Sequence, residues 1–308
     1  MESLTFPHLA ALEALRGTST LLYAAAISDE GIRVMYECLR KQGRVERLDL
    51  VLSTVGGNVT TAHQLALLVR EYTQHLTILV PYRAKSAGTL LCLCADELIL
   101  GTIAELGPID PLVGSSGAPP PDAPGMISAQ DIRIFREMAE QWFGVAREED
   151  RLQVLALMAQ RFFPTSLSSL YRSDQLVERV ANELLMYQLP NVEACARQHI
   201  VDQLVRGYPS HDYIISRAEA RKLGLQVRYA SQQEEDLLWE LLQASRIQWA
   251  GQPGQAEEEV IGIIASPRFS ARHIQRWIDA PAWKREPSRD GKTVQSDKVR
   301  KIQWEIDS

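Results

Sequence analysis

The stretch Pro81–Val113, PYRAKSAGTLLCLCADELILGTIAELGPIDPLV, decides how the chain is read. Just ahead of it, Leu76–Val80 (LTILV) is an apolar run of strand length and composition. The chain then bends through Lys85-Ser86-Ala87-Gly88 into Thr89–Cys94, an apolar, proline-free segment that reads as a buried helix. A serine at a strand-to-helix turn faces solvent, and the helix start behind it favours negative charge. Its small neighbours, Ala87 and Gly88, let a substrate backbone come close. Those are the requirements for displaying a nucleophile. A serine that only caps a helix has the same local sequence, so this turn leaves both roles open for Ser86.

Working outward, strands and helices alternate. Thr18–Ala26 reads as a strand, Ser28-Asp29-Glu30 as a helix start with acid in its first turn, and Gly43 as that helix's end. Leu48–Thr54 is a second strand, broken by Val55-Gly56-Gly57-Asn58, and a helix over Thr60–Tyr72 follows. His75–Pro81 and Glu97–Gly101 complete four strands. Strands separated by helices imply parallel pairing and right-handed crossovers, so the fold class is α/β with a mostly parallel sheet. In such a sheet the Gly56-Gly57 turn and the Ser86 turn both leave the carboxyl ends of their strands, where ligands bind. If those strands are neighbours, the N–H groups of Gly57 and Ala87 converge on one oxygen as an oxyanion hole. A tight turn that needs positive φ accounts for Gly56-Gly57 equally well.

Composition narrows the function classes. The chain has 308 residues, 45% of them apolar, which supports a substantial core in one large domain or one domain with an appendage. A net charge of -6 and a pI near 5.6 exclude the basic field of a nucleic-acid binder. Cys38, Cys92, Cys94 and Cys195 follow no disulfide or zinc spacing, which suits a reducing, cytoplasmic setting. Glu2 and His8 stand where a signal peptide would carry a basic region and an apolar run. No apolar stretch reaches membrane-spanning length, so a soluble chain with no integral membrane segment is expected. No two histidines are spaced as metal ligands, and Gly291-Lys292-Thr293 lacks the strand and glycine of a phosphate loop. Neither a metal nor a cofactor is expected.

Two segments together carry a family resemblance. STVGGNVTTAHQLALLV followed by VPYRAKSAGTLLCLCADELILGTIAELGPIDP resembles the ClpP/crotonase superfamily, and within it the serine dehydrogenase proteinase family of signal-peptide-peptidase-A-like serine peptidases. Gly56-Gly57, Ser86-Ala87-Gly88-Thr89, Asp96 and Leu106–Pro111 fit the family's motif positions, and Gly207–Val227 (GYPSHDYIISRAEARKLGLQV) is similar to a downstream segment. The resemblance covers roughly residues 18 to 230. It implies a spiral of βαβ units, a peptide or protein substrate and a homo-oligomer. It also makes Ser86 a nucleophile forming an acyl-enzyme, with the Gly57 and Ala87 amides as oxyanion hole and Gly56 and Gly88 beside the substrate.

The base that would activate Ser86 departs from the family patterns. No lysine lies between Lys85 and Lys222, and the place of the ClpP-type histidine is taken by Asp110-Pro111. Three residues stay open. His211, in the YPSH segment, matches the family's histidine and is a base suited to neutral pH, or it is structural. Lys85 adjoins the serine and steers charge, takes the proton, or is a surface lysine. Asp110, stiffened between prolines, orients His211 or serves shape alone. The alternative function is a non-proteolytic member of the same fold, either an acyl-thioester enzyme or an interaction scaffold with a vestigial site.

The domain reading is an N-terminal arm over 1–17, a catalytic domain over 18–230 and a helical, partly mobile C-terminal extension over 231–308. Within the catalytic domain, Gly114–Gly125 (GSSGAPPPDAPG) reads as a loop covering the cleft. Helical segments over 128–160 and 174–206 form an insertion. Beyond the acidic helix Ser231–Gln243, only Val260–Ala265 reads as a strand.

Overall fold

The computed structural model describes residues 6–114, 126–144, 164–245, 258–279 and 298–307, with short pieces between 147 and 156. Helix α1 (Pro7–Arg16) leads into β1 (Ser19–Ala24). Helix α2 (Asp29–Gln42) begins where the Ser28 hydroxyl accepts from the Gly31 amide, and stops at Gly43. Then come β2 (Val45–Ser53), α3 (Val59–Tyr72) capped by the Asn58 side chain, and β3 (Thr73–Val80). The segment around the serine turn contains β4 (Arg83–Ala84), α4 (Ala87–Cys92), β5 (Glu97–Leu100) and β6 (Glu105–Leu106). A hairpin of β7 (Leu112–Gly114) and β8 (Met126–Ser128) precedes α5 (Ala129–Phe143), α6 (Pro164–Gln188) and α7 (Ala194–Arg206). The chain continues through β9 (Ile215–Ser216), α8 (Arg217–Leu223), β10 (Val227–Tyr229) and α9 (Gln232–Ser245). It ends in β11 (Glu258–Ser266), β12 (Phe269–Asp279) and β13 (Lys298–Ile306).

The main sheet has the order β10-β5-β3-β2-β1-β11-β12-β13. Its first five strands are parallel, and β11 to β13 extend it antiparallel from β1. Each parallel crossover steps in the same direction, so with uniform handedness the connecting helices fall on one face. The strand side chains sort accordingly. Leu21, Tyr23, Leu50, Leu52, Ile78, Val80, Leu98 and Leu100 join one core cluster with Met35, Leu39, Leu65, Val69 and Leu90, from α2, α3 and α4. Their alternating neighbours Leu22, Ala24, Val51, Leu79 and Ile99 point the other way, where Phe6, Leu9 and Leu12 meet Leu238 and Leu241 of α9. Strands buried on both faces read as continuous apolar runs, as LDLVLS and LTILV do.

The C-terminal extension departs from the expectation of a helical segment. It is helical only through Ser245, and three strands follow it among the described residues. Val260–Ala265 is part of the first, which pairs with β1 through Leu22↔Ala265 and Ala24↔Ile263. Of the segments read as helical over 128–160 and 174–206, α5 covers the start of the first, most of 145–163 lies outside the described residues, and the second begins earlier, with α6 at Pro164, where a missing N–H costs nothing. Of the Gly114–Gly125 loop, residues 115–125 lie outside the described residues.

The face that carries α1 and α9 is tied to the sheet by an ion cluster. Arg16 of α1 bonds Asp49 of β2 through Nε, reaches its other oxygen at 3.2 Å, and meets Glu234 of α9 at 2.6 Å. Thr18 donates to Asp49 at 2.7 Å, and Arg228 donates to both oxygens of Glu234 at 2.8 and 2.7 Å. Burial alone would raise the Glu234 carboxyl, but the bonds from Arg228, the Ser231 amide and Arg16 outweigh it and hold it down at about 2. Because this lies below the unfolded glutamate range, the stabilisation is present above about pH 4.3 and fades as pH falls towards 2. Arg16→Ala takes the bonded cation from buried Asp49 and one of two from Glu234, and should cost about 3 kcal/mol at neutral pH. Urea unfolding across a pH series should show that gap shrinking below about pH 4.

Candidate active site

Strands β2 and β3 are parallel neighbours, with Leu50 opposite Ile78 and Val51 opposite Leu79. Past their carboxyl ends a second contact holds their extensions together. The Thr54 N–H donates to the Arg83 carbonyl at 2.8 Å, and the Lys85 N–H donates back to the Thr54 carbonyl at 3.2 Å. The glycine turn therefore lies beside the serine turn. A Cβ on Gly56 would sit 2.8 Å from the Lys85 carbonyl and 3.0 Å from Ser86 Cβ, and one on Gly57 would fall 2.1 Å from the Ile27 carbonyl. Gly56 also has φ of 106°. Only hydrogen fits at either position.

Ser86 has φ 52° and ψ -117°, and among the described residues no other non-glycine has positive φ. Such a conformation costs about 1–3 kcal/mol and persists because the surroundings enforce it. The turn is enforced on three sides. Thr89 Oγ1 donates to the Ala84 carbonyl at 2.7 Å and accepts the Gly107 N–H at 2.9 Å. The Gly88 N–H returns to the Lys85 carbonyl at 2.8 Å, and Thr54 Cγ2 packs where a Gly88 Cβ would come within 2.4 Å. Ser86 stands at the head of α4, yet its hydroxyl makes no capping bond. It is half-buried beside the Ala87 amide, the first of the helix and so without an intrahelical acceptor. The Gly57 amide likewise has no acceptor among the described residues, because the bridge to Ile27 uses the Gly56 carbonyl.

A three-stranded sheet gathers the remaining candidates. β4 pairs parallel with β6, and β6 pairs antiparallel with β9, placing Ala84, Leu106 and Ile215 in one row. Ser86 and Asp110 follow the carboxyl ends of β4 and β6, while His211 precedes the amino end of antiparallel β9. All three hang from the same end of this sheet. There His211 Nδ1 meets Asp110 Oδ1 at 2.8 Å. Asp110 is 2% exposed and His211 half-buried, and Nε2 of His211 has no partner among the described residues. The Lys85 side chain runs along Gly107 to the Asp212 carbonyl, 3.2 Å from Nζ, and lies 4.0 Å from Glu105. It thereby links the serine turn to the histidine loop. No hydrogen bond joins Ser86 to His211 in this structure.

Sequence reasoning assigns no role to Thr54 or Thr89, because a threonine that bonds its own backbone neighbourhood looks like any other. The signal for Thr89 was its place in Ser-Ala-Gly-Thr, one helical turn past the serine carbonyl. Asp96 is engaged structurally, accepting from Arg70 at 2.6 Å and from the Leu76 amide at 2.7 Å. No group of three or more His, Cys, Asp and Glu side chains among the described residues is placed to hold a metal. No described helix is long and apolar enough to cross a membrane.

A family described as ClpP-like SDH-type serine proteinase matches residues 23–123. The chain is 28% identical over 217 residues to the uncharacterized protein MJ0137 of Methanocaldococcus jannaschii, covering 70% of this chain and 65% of that one. It is 25% identical over 180 residues to MJ1495 of the same organism, also uncharacterized, covering 58% and 51%. The matches thus span 65% and 51% of those relatives' lengths. A solved structure of a mutant 1510-N membrane-bound stomatin-specific protease is 15% identical with TM-score 0.42, covering 74% of this chain and 83% of that one. Over residues 23–123, the segment that holds the glycine turn, Ser86 and Asp110, the chain is similar to the ClpP-like SDH-type serine proteinases.

Proposed function

We propose that the protein is a serine peptidase whose nucleophile is Ser86. The observation that carries this reading is the bond between buried Asp110 and half-buried His211, hung from the same end of one small sheet as a serine whose hydroxyl is free of capping duty. Asp110 Oδ1 accepts the Nδ1 proton, so the neutral imidazole presents Nε2 as the base. Ser86 Oγ adds to the carbonyl carbon of a peptide bond while its proton passes to Nε2. The oxygen that turns negative takes the N–H groups of Gly57 and Ala87, and the absent side chains of Gly56 and Gly88 let the substrate backbone approach. His211 then gives its proton to the departing amine, leaving an ester on Ser86. Water, deprotonated by Nε2, attacks that ester and releases the acid. The proton transfer requires Ser86 Oγ and His211 Nε2 to come within hydrogen-bond reach, about 2.6–3.2 Å, in the complex with substrate.

Lys85 serves this chemistry by position. Its ammonium is committed to the Asp212 carbonyl beside His211, so it holds the histidine loop against the serine turn and does not itself take the proton.

A fluorophosphonate probe should form one adduct, on Ser86, and none in Ser86→Ala. With a peptide substrate, Asp110→Asn should lower kcat by about three to four orders of magnitude, because the imidazole loses its required tautomer. Labelling that survives in Ser86→Ala, or full activity in Asp110→Asn, would sink the proposal.

The strained backbone gives a second test. Ser86→Gly and Ser86→Ala should be equally inactive, but glycine accepts φ 52° without penalty. Ser86→Gly should therefore be the more stable of the two by about 1 kcal/mol, or roughly 2 °C in Tm by calorimetry.

A further inference from the structure

Strand β13 closes the main sheet on the side away from β10, and among the described residues no strand pairs with its outer edge. It spans 9 residues and pairs with β12 along its whole inner side, from Ala271↔Ile306 to Asp279↔Lys298, without a bulge. Neither glycine nor proline interrupts it. A long regular edge exposes a row of backbone donors and acceptors to any other strand. Proteins usually blunt such an edge with charge, and β13 is charged, but its charges are sorted. Lys298, Arg300 and Lys301 fill the first half, while Glu305 and Asp307 stand at the far end, where Glu305 also accepts from Arg276 at 2.6 Å and Asp307 from Ser270 at 2.6 Å and Arg272 at 3.4 Å. Ile302 and Ile306 are each 41% exposed, on the face where Trp304 stacks on His273 at 4.6 Å.

Sorted charge makes the edge complementary to itself. An identical strand laid antiparallel across a two-fold axis sets each basic half against the other copy's acidic half. With the axis through Gln303, Lys301 lies opposite the second copy's Glu305, and Ile302 opposite its Trp304. Both pairs form twice, since the contact is isologous. With the axis one residue further, at Trp304, Lys301 faces Asp307 and the two exposed isoleucines face each other. Either register covers apolar surface and opposes unlike charges, whereas parallel pairing would set like against like.

We infer that the outer edge of β13 is a dimer interface, where a second copy of this chain pairs antiparallel and joins two sheets into one. The full chain should sediment as a dimer that weakens with salt. Ile302→Lys changes an exposed residue, so the melting curve should stay in place while the dimer dissociation constant rises about tenfold or more. Gln303→Cys in a Cys195→Ser background should form an intermolecular disulfide under mild oxidation, since the two sulfurs then lie next to the axis. A chain that stays monomeric would overturn the inference. So would an oligomer whose stability ignores Ile302→Lys and which does not cross-link when it carries Gln303→Cys.

Discussion

The approach of Gly56 to the backbone of Ser86 is the constraint from which the rest of the site follows. The two turns lie so close that a methyl group on Gly56 would strike both the Lys85 carbonyl and the serine Cβ. That closeness is held by the bridge between Thr54 and Ala84, which extends the β2–β3 neighbourhood by one further rung. In the proposed reaction, what stabilises a negative oxygen then comes from the main chain, whose amides are fixed before any substrate arrives. In that reaction, side chains enter only for the proton. They are delivered by a separate sheet of two-residue strands, braced through Thr89 to the serine turn.

A one-way winding of the parallel strands explains why such a small sheet can be added. All the crossover helices between the first strands occupy one face, with α1 and α9 on the other. The carboxyl ends of the strands are therefore left clear, and the chain after β3 turns out over them to form β4 and then β6. α7 braces the acid-bearing loop from behind, where the Ile109 amide donates to the Leu204 carbonyl at 3.0 Å.

How much of this is legible in the sequence depends on how local the cause is. The elements from Ser19 to Leu100 are legible because short signals bound them: Ser28 and Asn58 cap helices, and Gly43 ends one. The glycine turn and the serine turn are legible for the same reason. The meeting of His211 with Asp110 spans 101 positions and is set by a pairing of two residues with two, too short to leave a period. Asp110 and His211 can be nominated from the sequence, but their contact cannot. The strands after Ser266 are hidden differently. Along SARHIQRWI, polar residues occupy both faces, Arg272 and Arg276 on one and His273 and Gln275 on the other, since this part of the sheet lies beyond most of the covering helices. An alternation of apolar and polar residues is then too weak to announce a strand.

The Arg16–Asp49–Glu234 cluster reaches from one of the first helices to one of the last, with consequences for synthesis on the ribosome. Until α9 emerges, α1 lacks half of its packing partners and the Asp49 cluster lacks one of its anions. The free flank of β1 waits longer still, because the strand that covers it begins only at Glu258. The nascent parallel sheet thus spends most of translation with one bare edge and one bare face. It can settle only when β11 and the strands behind it have left the tunnel.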